Sequence, residues 1–454
     1  MDYKGKRVLV VGMARSGIAA AKLLAARGAL PVCQDDRAQG AFGDKLSELY
    51  SLNCEMHMGE SVLPLIDGID AVVVSPAVPL SSPLITECKK RGIYVIGELE
   101  LGFQLMNGEL VAITGTNGKT TTTTLLGEIF KNHGDITHVV GNIGYPITAA
   151  ALQSRDKDIF VCEVSSFQME TSDTFHPRAA AILNITEDHL NRHGDMETYI
   201  NMKMRMFENM GKDDVAVFNR DDAVCRELSK RVNAKVWFFS RKEPVPAGAF
   251  VEDGYIVVRK KDGQTFRVCE TTELQIPGAH NLENALAAAA LAFAMDIPPA
   301  VIRHTMRTFK GVEHRIEFVR ELWGVRYIND SKGTNVDASI QAVRAMERPS
   351  VIILGGSDKH SDFAPLVSEM KKNPCLKAAV TIGATAQQIE AALSAQGFTQ
   401  FERAADMKDA VLKCRAFASD GWNVLLSPAC ASFDMFSDYE QRGRVFKEIV
   451  NSME

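Results

Sequence analysis

An α/β fold in several domains is predicted from three observations. A strand, glycine turn and helix run through Leu110–Phe130. A second such unit begins at Arg7, and after about residue 312 the alternation of apolar strands and helices restarts. With 454 residues, two to four cores are expected. Short connections, with no low-complexity linker and no internal repeat, divide the chain at 1–97, 98–311 and 312–454.

The Leu110–Phe130 stretch is the most informative. Val111, Ala112 and Ile113 read as a buried strand, Gly115, Asn117 and Gly118 break it, and Lys119–Thr120 open a helix bearing Leu125, Leu126, Ile129 and Phe130. This is the context of a phosphate-binding loop. Amides of the turn face an anion, Lys119 reaches terminal phosphates and Thr120 meets Mg²⁺. The full P-loop pattern places glycine at position 113, which here is Ile113, so the match is to the shorter TGTNGKTT. A plain turn with a surface lysine is the bland alternative.

Composition narrows the class. Hydrophobic residues make up 46% and charged residues 24%, ordinary globular values. A net charge of −6 without a long Lys/Arg run argues against a nucleic-acid partner. Nine cysteines without a CxxC pair suggest a reduced, cytoplasmic chain. The chain enters a strand directly, without a signal peptide, and no apolar run is long enough to span a bilayer. The alanine-rich run Ala285–Ala294 reads instead as a buried helix.

In the first 97 residues, Arg7–Val11 is a strand, a helix runs to about Arg27, and Val32–Gln34 and Ala71–Val74 are further strands. This is a Rossmann-type half with ligands expected at strand C-termini. Its GxGxxG fingerprint is incomplete, with Ala14 between Gly12 and Gly17. Asp35-Asp36 either hold a ribose hydroxyl or form a solvated loop.

In the central block, Ile159–Cys162 is a strand ending in Glu163, well placed to hold Mg²⁺ beside a phosphate loop. Ala179–Ile185 is another, ending at His189, which is either a ligand or a core histidine. A helix over Met196–Met210 carries the apolar stripe Met196, Tyr199, Ile200, Phe207 and Met210, with Lys203 in its middle. Such a lysine is either desolvated and nucleophilic or snorkels from the edge. Val215–Asn219 is a strand, Lys261-Asp262-Gly263 turns a hairpin, and Asn281 and Asn284 share a helix face, to cap it or to read a base. In the last block, strands at Val325–Ile328, Val351–Leu354, Ala378–Ile382 and Asn423–Leu426 end in polar tips. His314, Arg315, Lys332 and Lys359 are candidate cations for a transferring phosphate in a closed, dry cleft.

The motifs TGTNGKTT (114–121), EVSSFQ (163–168), NITEDHL (184–190), Lys203, GAHNLENA (278–285), HRIE (314–317), NDSKGTN (329–335) and SPACASFDMFSDYEQRG (427–443) occur in one order. Over essentially the whole chain this resembles the Mur ligase family. The resemblance implies three domains: a Rossmann-like N-terminal domain, a central P-loop ATPase domain and a Rossmann-like C-terminal domain. It implies an ATP-dependent ligase of cytoplasmic peptidoglycan precursor synthesis, and the last motif points to addition of D-glutamate to UDP-N-acetylmuramoyl-L-alanine through an acyl phosphate.

By matching position, Gly115, Thr116, Asn117, Gly118, Lys119, Thr120, Thr121, Asn281, Asn284, Arg315 and Asp330 would bind ATP. Arg15, Ser16, Asp36, Arg37, Asn142, Ser165 and His189 would bind the UDP-substrate, and Thr334, Lys359, Ser432 and Tyr439 the D-glutamate. Two Mg²⁺ sites would draw on Thr120, Glu163, His189 and Lys203, the last carrying CO₂ as a carbamate. Lys119, Glu163, His189 and Lys203 would be catalytic, and the enzyme a monomer. Rival readings are a sibling Mur ligase or folylpolyglutamate synthetase-like ligase taking another amino acid, an NAD(P) oxidoreductase resting on residues 7–37, and a nucleotide-operated switch.

Overall fold

A computed structural model describes residues 1–60, 63–76, 78–276, 278–357 and 361–454. The chain forms two compact units, Met1–Lys310 and Gly311–Glu454.

The first unit contains two sheets. The smaller comprises β1 (Arg7–Val11), β2 (Leu30–Asp35), β3 (Glu55–Met58), β4 (Ala71–Val74) and β5 (Tyr94–Gly97), all parallel, in the order β3-β2-β1-β4-β5. This is the doubly wound order, with helices on its faces. The helix Arg15–Ala26 follows β1 closely because Gly17 has no side chain; a Cβ there would lie 1.9 Å from the Gly12 carbonyl oxygen.

The larger sheet contains β6 (Glu109–Thr114), β7 (Thr137–Gly141), β8 (Ile159–Glu163), β9 (Ala179–Ile182), β10 (Val215–Asn219), β11 (Lys235–Ser240), β12 (Gly248–Glu252), β13 (Tyr255–Arg259) and β14 (Thr265–Glu270). Their order is β14-β13-β12-β11-β10-β9-β6-β8-β7. Central β6 lies between β8 and β9, so its Leu110–Ile113 run is apolar throughout and buried. The helix Lys119–His133 follows it and buries Leu125, Leu126, Ile129 and Phe130, each contributing about 1.5–3 kcal/mol. Beside it runs Ala279–Ala294, in which every residue from Ala285 to Phe293 is buried. The turn at Lys261–Gly263 joins antiparallel β13 and β14.

Two central elements are shorter than the pattern predicts. Strand β9 stops at Ile182 rather than Ile185, because the next residues turn to bond the phosphate loop. The α-helix from Met196 stops at Met204, and Arg205–Phe207 tightens into a 3₁₀ turn, a common way for a helix to end.

The helix Glu98–Leu105 joins the two sheets. Leu99 and Phe103 pack in the core of the larger sheet, while Leu101 and Leu105 pack in that of the smaller. Buried Glu100 accepts the amides of Asp173, Thr174 and Phe175 at 3.0, 2.9 and 3.1 Å. Glu98, also buried, accepts the Thr148 amide and hydroxyl at 2.9 and 2.6 Å.

The second unit is built on one sheet of β15 (Glu317–Leu322), β16 (Val325–Asn329), β17 (Ser350–Leu354), β18 (Leu376–Thr381), β19 (Phe401–Arg403) and β20 (Asn423–Leu426). The order is β15-β16-β20-β17-β18-β19, with only the edge strand β15 antiparallel among these described strands.

Candidate active site

The phosphate loop spans the exit of β6 and the start of the Lys119–His133 helix. Gly115 and Gly118 take φ values of +145° and +84°, and a Cβ on Gly118 would lie 2.1 Å from Asn284 Oδ1. The segment after β9 holds the loop from the other side. The Asn184 carbonyl accepts the Thr116 amide at 3.0 Å, and its Oδ1 accepts the Asn117 amide at 2.8 Å. Thr116 Oγ1 donates to the Thr186 carbonyl at 3.1 Å and lies 3.1 Å from the Tyr199 hydroxyl. Thr120 is buried and Thr121 half-buried in the first helical turn. Lys119 Nζ folds back on the loop, donating to the carbonyls of Gly115 and Thr116 at 3.0 and 2.7 Å.

Lys203 meets the same loop from its helix. It is 2% exposed, its Nζ donates to the Gly115 carbonyl at 2.9 Å, and it lies 4.6 Å from the Tyr199 ring centroid. Two lysines therefore converge on one carbonyl. Burial, and then the charge of Lys119, push the Lys203 pKa well down, against a smaller opposing pull from Asp188 and Glu163. This excludes the snorkelling alternative.

Glu163, at the buried end of β8, accepts the Asn142 side-chain amide on Oε1 at 2.8 Å. Its Oε2 is buried with no partner among the described residues. A carboxylate oxygen so placed fits a cation. His189 is not a core histidine: its side chain is 47% exposed, its backbone is left-handed at φ +52°, and its ring packs 4.8 Å from that of Phe167. Among the described residues no three His, Cys, Asp or Glu side chains gather into a metal-holding group. Ser165 caps the helix Ser166–Met169 reciprocally with Gln168. Asn281 and Asn284 meet at 3.3 Å, and Asn284 Oδ1 accepts the Thr122 hydroxyl at 3.4 Å. Asn284 thereby stands against the loop's flank, its Oδ1 2.1 Å from where a Cβ on Gly118 would lie.

At the smaller sheet, Arg15 and Asp36 are exposed and Ser16 half-buried. The Asp35-Asp36 pair divides. Asp35 is buried, accepts the Met13 amide at 2.7 Å and receives Arg37 through two bonds of 2.9 Å. Arg37 holds its carboxyl down at about pKa 2. Asp35 is therefore a structural acid rather than a ribose ligand. Arg37 also stacks on Phe42 at 4.5 Å.

The second unit gathers its own polar set. Asp330 is 3% exposed and accepts the Ser427 hydroxyl at 2.7 Å and the Ile316 amide at 3.2 Å; burial raises its pKa to about 6. Half-buried Arg315 stands between two left-handed residues, His314 (φ +64°) and Ile316 (φ +45°). His314 is not a cation for phosphate. It is buried, burial lowers its pKa, and its Nδ1 meets the Asn329 amide at 2.9 Å. Thr334 donates its amide to the Lys332 carbonyl at 2.8 Å, Ser432 is buried, and Tyr439 opens the last helix. Lys359 lies outside the described residues.

Arg442 was missed by the sequence reading. It is 2% exposed and donates to the Ser331 hydroxyl and carbonyl at 2.9 and 2.7 Å and to the Cys430 carbonyl at 3.0 Å. It thereby ties NDSKG to SPACA. The signal was available: Arg442 lies one turn before buried Phe446, as Lys203 lies one turn after Tyr199. Asn184 and the Ser166–His193 pair carried no comparable pattern.

Three family models match the chain: "Mur ligase MurD-like, N-terminal domain" over 6–97, "Mur ligase middle domain" over 113–292 and "Mur ligase, glutamate ligase domain" over 314–430. A UDP-N-acetylmuramoylalanine–D-glutamate ligase of Thermoanaerobacter sp. (strain X514) is 43% identical over 452 residues, covering 99% of each chain. One of Alkaliphilus oremlandii is 45% identical over 455 residues, covering 100% of each. Among solved structures, the UDP-N-acetylmuramate–alanine ligase MurC of Thermotoga maritima superposes with a TM-score of 0.59 at 18% identity, covering 99% of this chain and 100% of that one. At that identity the likeness concerns the fold.

Proposed function

The chain belongs to the Mur ligase family, and we propose that it joins D-glutamate to the alanine carboxylate of UDP-N-acetylmuramoyl-L-alanine, converting ATP to ADP and phosphate. It is an ATP-dependent acid–amino-acid ligase of peptidoglycan precursor synthesis. The observation that carries the reading is full-length likeness, at 43% and 45% identity, to relatives named for this activity. No helix of the described residues is long and apolar enough to cross a membrane. A monomeric cytoplasmic enzyme, divided at 1–97, 98–311 and 312–454, completes the proposal.

Such a ligase works in two steps. A carboxylate oxygen of the substrate bonds to the γ-phosphorus as the bond to ADP breaks, giving an acyl phosphate. The D-glutamate amine then bonds to the acyl carbon, inorganic phosphate leaves and the amine loses a proton. Lys119 would turn from its loop carbonyls to the transferring phosphoryl oxygens, and the amides of residues 115–121 would cradle the nucleotide. Asn281, Asn284, Arg315 and Asp330 would hold the rest of ATP. Thr120, Glu163, His189 and Lys203 would hold Mg²⁺, which when bound supplies positive charge opposite those oxygens. The partnerless Glu163 oxygen supports this. Lys203, whose pKa burial pushes well down, would give up its proton more readily, and its amine would add CO₂ with release of a further proton to give an anionic carbamate. Arg15, Ser16, Asp36, Arg37, Asn142, Ser165 and His189 would hold the UDP-substrate, and Thr334, Lys359, Ser432 and Tyr439 the D-glutamate.

The test is phosphate release from ATP with Mg²⁺ and UDP-N-acetylmuramoyl-L-alanine across a panel of D- and L-amino acids. Release with D-glutamate alone is expected. Release with another amino acid would reassign the substrate, and none from folded protein would overturn the ligase reading.

A further inference from the structure

We propose that His193, paired with Ser166, is a positioning residue that fixes the segment carrying His189 against the strand end carrying Glu163. The proposal rests on the reading of Glu163 and His189 as metal ligands. The two ligands are borne by separate pieces of chain. Ser166 opens the short helix Ser166–Met169 after β8, and His193 closes the short helix Leu190–His193, which His189 precedes. Helices of one turn have no stability of their own, so side chains must set their relative placement.

Those side chains are in place. Ser166 Oγ and His193 Nε2 lie 2.9 Å apart, with Ser166 2% and His193 9% exposed. Between the two helices the Phe167 ring packs against His189 at 4.8 Å and His193 at 5.4 Å, with the Arg192 guanidinium 4.1 Å away. Arg192 is itself held by both oxygens of Glu170 at 3.0 and 2.8 Å. On its other side His193 meets the Tyr199 ring at 5.6 Å, and the Tyr199 hydroxyl reaches Thr116 of the phosphate loop. The left-handed backbone of His189 is a conformation that a non-glycine residue keeps only when its surroundings impose it. The Ser166–His193 bond and the Phe167 contacts flank that residue.

Mn²⁺ binding to the full-length protein, followed by electron paramagnetic resonance, tests this alongside steady-state kinetics. Ser166→Ala removes the bond, and His193→Phe removes it while keeping a ring against Phe167 and Tyr199. Each is expected to weaken Mn²⁺ binding about tenfold and to raise the Mg²⁺ concentration for half-maximal rate by the same factor. The double variant should be no worse than either single one, because one bond is lost in all three. The KM for D-glutamate and the thermal midpoint should stay near wild type. Glu163→Gln is the control for the metal site. If it loses Mn²⁺ affinity while Ser166→Ala and His193→Phe keep theirs, the positioning role is wrong and the metal reading stands. If Glu163→Gln binds Mn²⁺ as wild type does, the metal reading fails and the proposal with it. Additive losses, or equal losses for every substrate, would indicate general loosening and overturn the role. Should His193→Phe not fold, Ser166→Ala carries the test.

Discussion

Two strand–turn–helix units in the first compact unit differ in how each uses its turn. After β1, the turn amide of Met13 is taken by the protein's own Asp35 carboxylate, which Arg37 neutralises. After β6, the amides of Thr116 and Asn117 are held by neutral Asn184, and two lysines converge on Gly115. The first turn already contains its anion. The second brings two lysine side chains to its turn and leaves the anion to a ligand. One backbone motif therefore yields a structural corner in one place and a candidate phosphate site in the other, and charge placement decides which.

The sharpest way to break this comparison is Lys203→Ala. It should lower kcat by on the order of 10³-fold while the thermal midpoint stays near wild type, because a desolvated amine contributes little to folding. Retention of wild-type kcat would remove Lys203 from the chemistry. Lys119→Ala should cost about 10²-fold in kcat with less than about twofold change in UDP-substrate affinity; equal losses in both, by kinetics and calorimetry, would mean that the loop binds a different ligand.

Glycine substitutions separate the two turns. Gly118→Ala forces a Cβ against Asn284 and strains a φ of +84° by about 1–3 kcal/mol, and should raise the KM for ATP. Gly17→Ala meets the Gly12 carbonyl and should lower thermal stability without moving that KM. A rise in ATP KM from both would erase the distinction. Smallest is Asp35→Asn. The Asp35 pKa is lowered to about 2, so its contribution is present above the ordinary carboxylate value and is lost as pH falls toward 2. Urea unfolding should show a deficit of about 2 kcal/mol at pH 7, closing as pH drops from about 4 to 2. A pH-independent deficit would assign the effect to packing instead.

Legibility followed burial. Central strands such as β1, β4, β6, β8 and β10 are apolar runs shielded on both faces, and sequence alone identifies them. Of the strands at sheet edges, β3, β5, β7, β15 and β19 were not anticipated, whereas β14 was, through the hairpin turn at Lys261–Gly263. An edge strand such as Glu55–Met58 is half-exposed and needs no continuous apolar run. Interior β12 was not singled out; it begins at Gly248, where a Cβ would lie 1.8 Å from the Phe238 carbonyl oxygen.

The same contrast holds at the site. Gly118, Lys119 and Thr120 are legible because a phosphate loop is local in sequence. Lys203 is legible because a charge inside an apolar stripe is anomalous. The partnerless oxygen of Glu163, the two lysines on one carbonyl and the arginine tie of Arg442 depend on residues tens of positions apart. No local spacing encodes them. His314 misled because a histidine beside an arginine suggests charge, whereas burial lowers its pKa and its Nδ1 meets the Asn329 amide.

The helix Glu98–Leu105 has a consequence for how the chain can be divided. Leu99 and Phe103 serve one core, Leu101 and Leu105 the other, and Glu100 fastens three amides of the larger half. Cutting before this helix strips apolar cover from the smaller sheet, and cutting after it strips the larger. The two sheets thus share one short segment, and exchange of parts among related chains would fail at the seam near residue 98.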